Sequence, residues 1–207
     1  MDYKKEFLKE IGNVHSYDTY TVYFDMIYSA MSDMMRVDGY EISEYLGINT
    51  AKYKPPEYKA MAHAFANVVS SMDEHFKNGE FYDVLGELFH TLELHNRDEG
   101  QFFTPQHLAN LLGGCSIGLE ELQSQNCIDI CEPSSGSGAN ILGLCNRVAM
   151  LGYDPQVKLR VTAHDIDIRC VAMTFVQLTL YGIPAKVVHG DTLKNETRKI
   201  FYNHWYK

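Results

Sequence analysis

No run of apolar residues in this 207-residue chain comes near the ~20 that span a bilayer, which excludes a hydrophobic membrane helix. The opening MDYKKEFLKE carries alternating charges and no apolar stretch. No secretory leader is therefore expected there, and the cytoplasm is the expected compartment. Cysteine is scarce and odd in number, with five residues at 115, 127, 131, 145 and 170. No CxxC pair or histidine partner sits at zinc spacing, and the nine histidines are scattered. Neither a disulfide framework nor a metal site is expected. Cys127 and Cys131 fall on one face of an expected strand and read as small buried hydrophobes in a reducing compartment.

An excess of cations is also missing. Net charge is −9, and residues 1–99 hold 18 of the 27 acidic side chains but only 9 of the 18 lysines and arginines. Gripping duplex phosphates requires clustered positive charge. The chain alone is expected to bind DNA only weakly or through a partner subunit. The acidic first half suits docking on a basic protein partner instead.

With 45% apolar and 12% aromatic residues the composition is globular. The length allows one good core, or a helical half packed on an α/β half. Residues 1–95 read as helices. Tyr20, Tyr23, Phe24, Ile27, Met31, Met34 and Met35 recur at three and four, and Met61, Phe65, Val68, Val69, Met72 and Phe76 do the same. Such stripes predict core packing rather than a ligand pocket, despite their Met and Tyr content. Pro55-Pro56 breaks the segment and starts a helix.

From residue 96 the rhythm changes. NRDEGQFFTPQ predicts a loop, and Pro105 opens a short helix through Leu112. Strands are expected at 127–131, 159–164 and 185–190, with helices over about 139–151 and 168–181 between them. A further strand is possible at KIFY. Strands alternating with helices predict βαβ units and part of a doubly wound parallel sheet, here over residues 96–207.

The chemistry-bearing stretch is IDICEPSSGSGANIL. Glu132 sits at the carboxyl end of a strand, Ser134 to Gly138 form a tight turn, and a helix N-terminus follows. Gly136 and Gly138 permit close backbone approach to a ligand. The second strand ends at Asp165, placed to take ribose hydroxyls, and the third at Asp191, placed to accept from an adenine amino group. Three acids at successive strand ends predict a nucleoside pocket; the alternative is that each caps a helix. A dinucleotide site fits less well, since its fingerprint wants a small residue where Ile141 stands.

GQFFTPQHLANLL, CEPSSGSGANIL, AHDIDIRCVAMTFVQLTLYGIP and HGDTL occur in that order. Together they resemble the S-adenosylmethionine-binding part of the adenine-specific N6 DNA methyltransferases, as in the modification subunits of type I restriction systems. The similarity covers about residues 80–207. It implies a Rossmann-like class I methyltransferase core preceded by helices, with S-adenosylmethionine as cofactor. Phe103, Thr104 and Pro105 would border its methionine end. Glu132, Pro133, Ser135, Gly136, Ser137 and Gly138 would form the cofactor loop. Asp165 with Ile166 would hold the ribose side, Asp191 the adenine, and Asp167 would cap the next helix.

In that family a later strand ends in Asn or Asp, Pro, Pro and an aromatic residue, which align the amino group of a flipped adenine. Here KIFY is followed by Asn203, His204, Trp205 and Tyr206. Asn203 and Tyr206 are thus the candidate catalytic residues of an eroded motif whose stiffening prolines are gone. KPPEY at 54–58 carries Lys where an acceptor is required and is excluded. Methyl transfer to adenine N6 is the implied activity, and a non-catalytic cofactor-binding or docking module is the alternative.

Overall fold

The computed structural model describes residues 2–94 and 103–206. The first part of the expected NRDEGQFFTPQ loop, residues 96–102, lies outside them. Helices α1 (Tyr3–Ile11), α2 (Thr19–Val37), α3 (Ser43–Leu46), α4 (Pro55–Lys77) and α5 (Val84–Thr91) come first, with a single 3₁₀ turn at Thr50–Lys52. Asp2 and Asp18 accept from the backbone N–H of Lys5 and Thr21 and so start α1 and α2. Pro55, with φ preset and no N–H to lose, opens α4. Glu57 in its first turn reaches back to the backbone N–H groups of His15, Ser16 and Lys54 and to the Ser16 hydroxyl, pinning α4 to the α1–α2 connection.

The second half contains α6 (Gln106–Ser116), α7 (Leu119–Ser124), β1 (Ile128–Glu132), α8 (Ala139–Met150), α9 (Pro155–Lys158), β2 (Leu159–Asp165), α10 (Ile168–Leu180), β3 (Ala185–Asp191) and β4 (Glu196–Tyr202). The expected helices and first three strands are present with ends shifted by a few residues. Strand order is β1-β2-β3-β4; β1, β2 and β3 are parallel, while β4 runs antiparallel to β3. The sheet is therefore not wholly parallel. The four residues between β3 and β4 are too few for a parallel crossover, which takes about a dozen.

One face of the sheet is packed. Leu159, Val161 and Ala163 of β2 and Ala185 and Val187 of β3 are buried, as is Phe201 of β4. On the other face Asp129, Cys131 and Arg160 are exposed, and Thr162, His164 and Lys186 are partly so. A parallel sheet ordinarily has both faces covered. Here that second face is exposed along β1 and at Arg160 of β2 and closes over only at Val188 of β3, and β1, the first strand of the order, has no partner on its outer edge among the described residues. Cys127 and Cys131 are in consequence exposed, against the expectation that they are buried.

Helix α2 packs on α10, and a continuous core runs from Phe7 in α1 to Phe201 in β4. The expected division at residue 95/96 falls outside the described residues, and packing joins the segments on either side of it. Helices α6 and α8 pack most closely at Gly113 and Gly143, where a Cβ on Gly143 would come within 2.1 Å of the Ala109 carbonyl oxygen. Most of the Met stripe is core, with Met26, Met31, Met35, Met61 and Met72 all buried. The stripe also leaves an apolar groove of about 240 Å³ between α2 and α4, lined by Met26, Met34, Tyr58, Met61 and Phe65 with Asp33 among them.

Candidate cofactor site

The turn after β1 is built as its glycines require. Gly136 has φ +55° and Gly138 φ +100°, a region that side chains with a Cβ rarely adopt. Ser135 N–H donates to the His164 carbonyl (2.8 Å), tying the turn to the end of β2. Gly136 N–H donates to Asp165 Oδ2 (2.9 Å), and the other Asp165 oxygen accepts from Asp167 N–H (2.9 Å). A Cβ on Gly136 would lie 3.3 Å from the Phe103 ring, which is itself buried edge-on against Phe89 at 4.8 Å between centroids. Phe103, the glycine turn and Asp165, widely separated along the chain, therefore meet at one residue. Burial holds the Asp165 carboxyl above its ordinary range, against the lowering effect of the N–H groups it accepts from.

The other two acids are less convergent. Glu132 accepts from Ser134 N–H (3.2 Å) and faces Asn140 Nδ2 at 3.4 Å. With Asn140, Ile130, Ile141, Leu112 and Leu144 it lines a groove of about 370 Å³ along the outer edge of β1. Neither Asp165 nor Asp191 lines that groove. The Asn140 Oδ1 atom is buried with no hydrogen-bond partner. Asp191 accepts from Lys194 N–H (3.1 Å) and pairs with its ammonium (3.3 Å), so it caps the β3–β4 turn. The Lys194 N–H draws its carboxyl below the ordinary range. Thr192, next to it, donates to the Pro133 carbonyl (2.7 Å) and ties that turn back to the loop after β1. The nucleoside pocket expected from three acids is thus seen as one firm junction at Asp165, with Glu132 and Asp191 engaged in their own turns.

Ser135 and Ser137 are buried. Thr104 and Pro105 line a separate cleft of about 260 Å³ with Tyr82, Glu87, His90 and His107. Ile166 is exposed, and its carbonyl accepts from Arg198 (3.1 Å) and lies 3.0 Å from His189 Nε2. Asp167 caps α10 by accepting from Arg169 N–H, as expected. Among the described residues no group of three His, Cys, Asp or Glu side chains could hold a metal ion. No described helix is long and apolar enough to cross a membrane.

Asn203 and Tyr206 require a correction. Because β4 is antiparallel, Asn203 lies beside Ala185, at the amino end of β3 and about 20 Å from the glycine loop by strand rise. Its side chain is buried and bonded at both ends, accepting from Ala185 N–H (3.0 Å) and donating to the Ile183 carbonyl (2.8 Å). Tyr206 packs on Tyr202 there, 5.2 Å between ring centroids. His204 meets Asp38 at 2.6 Å and Trp205 donates to the Thr179 carbonyl at 2.8 Å. The tail is an anchor rather than an acceptor-site loop.

Sequence reasoning also missed Asp83, Thr174 and Gln177. Asp83 is buried and accepts from Ser137 Oγ, Gln177 Nε2 and Gly86 N–H. Thr174 Oγ1 donates to the Gly136 carbonyl (2.9 Å). The available signal was a polar residue on the apolar face of a helix, Gln177 in MTFVQLTL, which predicts a buried partner.

No protein-family model matches the chain, and no curated protein matches its sequence. Solved structures do share its fold. One, from Listeria monocytogenes, is provisionally classed as a class I S-adenosylmethionine-dependent methyltransferase. It superposes with a TM-score of 0.57 at 13% identity, over 94% of this chain and 55% of that one. Another is the methyltransferase subunit of a type I restriction–modification system from Streptococcus thermophilus, with a TM-score of 0.45 at 16% identity, over 86% and 40%. The chain spans about half the length of the Listeria protein. What the likeness establishes is the fold: a Rossmann-like class I methyltransferase core preceded by helices.

Proposed function

We propose that this chain binds S-adenosylmethionine at the carboxyl edge of β1–β3, as the cofactor-binding part of an adenine-specific N6 DNA methyltransferase. The observation that carries the reading is Gly136, which touches Phe103 and donates to Asp165, so that three of the resembling motifs meet at one backbone position.

The residues fit the cofactor. Gly136 and Gly138, both at positive φ, leave two positions of the turn without side chains, so its backbone suits close approach by a ligand. The Asp165 carboxylate has about four acceptor positions, of which two take the Gly136 and Asp167 N–H groups, leaving room for a diol. Glu132, at the end of β1, would border the cofactor loop with the turn that follows it. Asp191 and the exposed Ile166 would border the adenine, and Phe103 to Pro105 the methionine end. When bound, S-adenosylmethionine supplies the methyl group for transfer to an exocyclic amine.

A second reading is favoured by the position of Asn203 and Tyr206 at the far end of the sheet. In that reading the chain is a cofactor-binding module that forms no acceptor site and docks on a protein partner through its acidic helical half. Calorimetric titration tests the cofactor claim. Saturable binding by the wild-type chain and a tenfold or greater loss in Asp165→Ala are expected, and no binding heat in the wild type would overturn it. Labelled cofactor with mixed-sequence DNA, alone and with cell extract, separates the two readings. No methylation alone and adenine methylation with extract support the methyltransferase; none in either supports the module.

A further inference from the structure

We propose that Asp83 is a positioning residue for the glycine loop, tying it through Ser137 and Gln177 to the start of α5, so that the helical half of the chain sets the shape of the cofactor site. The bonds themselves are independent of the function proposed above; only the consequence for cofactor affinity rests on it.

Asp83 is 4% exposed and makes no ion pair among the described residues. A buried carboxylate without a cation is expensive unless hydrogen bonds satisfy it. Three do. Gly86 N–H donates to Oδ1 (2.8 Å), which is all that capping α5 needs. Gln177 Nε2 also donates to Oδ1 (2.8 Å), and Ser137 Oγ to Oδ2 (2.5 Å). These two reach out of the helical half, 94 and 54 residues along the chain.

Gln177, fully buried in the middle of α10, donates also to the Ser137 carbonyl (2.8 Å) and accepts from Leu85 N–H (3.2 Å). Asp83 N–H donates to Oε1 of Gln106, the residue after Pro105 (2.8 Å). One side chain and its own N–H thus connect the cap of α5, the lead into α6, the loop after β1 and α10. The Ser137 hydroxyl is turned into the core by this bond. Ser137 therefore holds the loop in place and is not a ligand contact, and Asp83 acts on the site through it.

Amide hydrogen exchange on the full chain, without cofactor, tests the latch. Ser137→Ala is expected to speed exchange at Gly136, Ser137→Ala itself and Gly138 about tenfold, as loss of a charge-assisted bond implies, with the α5 amides unmoved. Asp83→Asn is expected to do the same at the loop and to loosen Gly86 as well. Combining the two should give less than the sum of their separate effects at the loop, because both remove the Ser137–Asp83 bond. Unchanged loop exchange in Ser137→Ala, or fully additive loop effects, would overturn the latch. If Asp83→Asn does not fold, Ser137→Ala alone decides. Where the wild type binds S-adenosylmethionine, Ser137→Ala should weaken it about tenfold alongside the faster exchange; weaker binding with unmoved exchange would mean direct contact and would also overturn it. A wild type that binds no cofactor removes the proposed function and leaves the exchange result to judge the latch.

Discussion

At Gly136 three constraints coincide: a positive φ, the Phe103 ring 3.3 Å from where a Cβ would stand, and an N–H committed to Asp165. Gly136→Ala should lower stability by ~1–2 kcal/mol, seen as a fall of about 2–8 °C in Tm, and should weaken cofactor binding with it. Glu57 carries a different residue-scale effect. The Ser16 hydroxyl, with the His15, Lys54 and Ser16 N–H groups, holds its pKa down to about 2 from an ordinary 4.5. A depressed carboxylate stabilises the folded state above its unfolded pKa, and that contribution fades as pH falls from about 4.5 to 2. Thermal melts over that window should show a steeper loss in wild type than in Glu57→Gln, which starts less stable at neutral pH. Asp83 and Asp165 have the opposite sign, since burial raises both. The glycines and strand-end acids were legible as single residues. Which acid would meet the loop was not, because that depends on where each carboxylate finds its donors.

At the scale of elements, β4 decides how the tail is understood. A strand pattern has no direction, so KIFYNHWY looked like a strand leading into a catalytic turn. The direction was present in the connection, since only Thr192 to Asn195 join β3 to β4, with Asn195 at φ +55° as tight hairpins require. Asn203→Ala removes two buried side-chain bonds to the amino end of β3 and to Ile183. It should cost ~2–3 kcal/mol and lower Tm by about 4–12 °C, with cofactor affinity unchanged. An acceptor-site residue would behave in reverse, losing methyl transfer while Tm stayed put. The α6–α8 contact is equally specific. Gly143→Ala would force the Ala109 carbonyl away from a Cβ at 2.1 Å. Overpacking of this kind costs ~1–3 kcal/mol, measurable by urea unfolding.

For the whole molecule, the sheet with one packed face and an open β1 edge accounts for what composition misjudged. Cys115, Cys127 and Cys131 are exposed, while Cys145 and Cys170 are buried, and burial pushes the Cys145 thiol well above its usual range. A thiol reagent should therefore modify three cysteines quickly in the native chain and the remaining two only on unfolding. The acidic first half does not stand apart from the sheet. It shares one core with it and, through Asp83, one hydrogen-bond network with the glycine loop.

Order and type of the first three strands and their helices, the glycine turn, and the acids at the strand ends all follow from the sequence, because apolar periodicity and turn chemistry are local. The antiparallel course of β4, the relocation of Asn203 and Tyr206, the exposed cysteines and the Asp83 network were decided by tertiary structure alone. Each depends on which distant group a backbone edge or a buried polar atom finds, and no local pattern encodes that pairing.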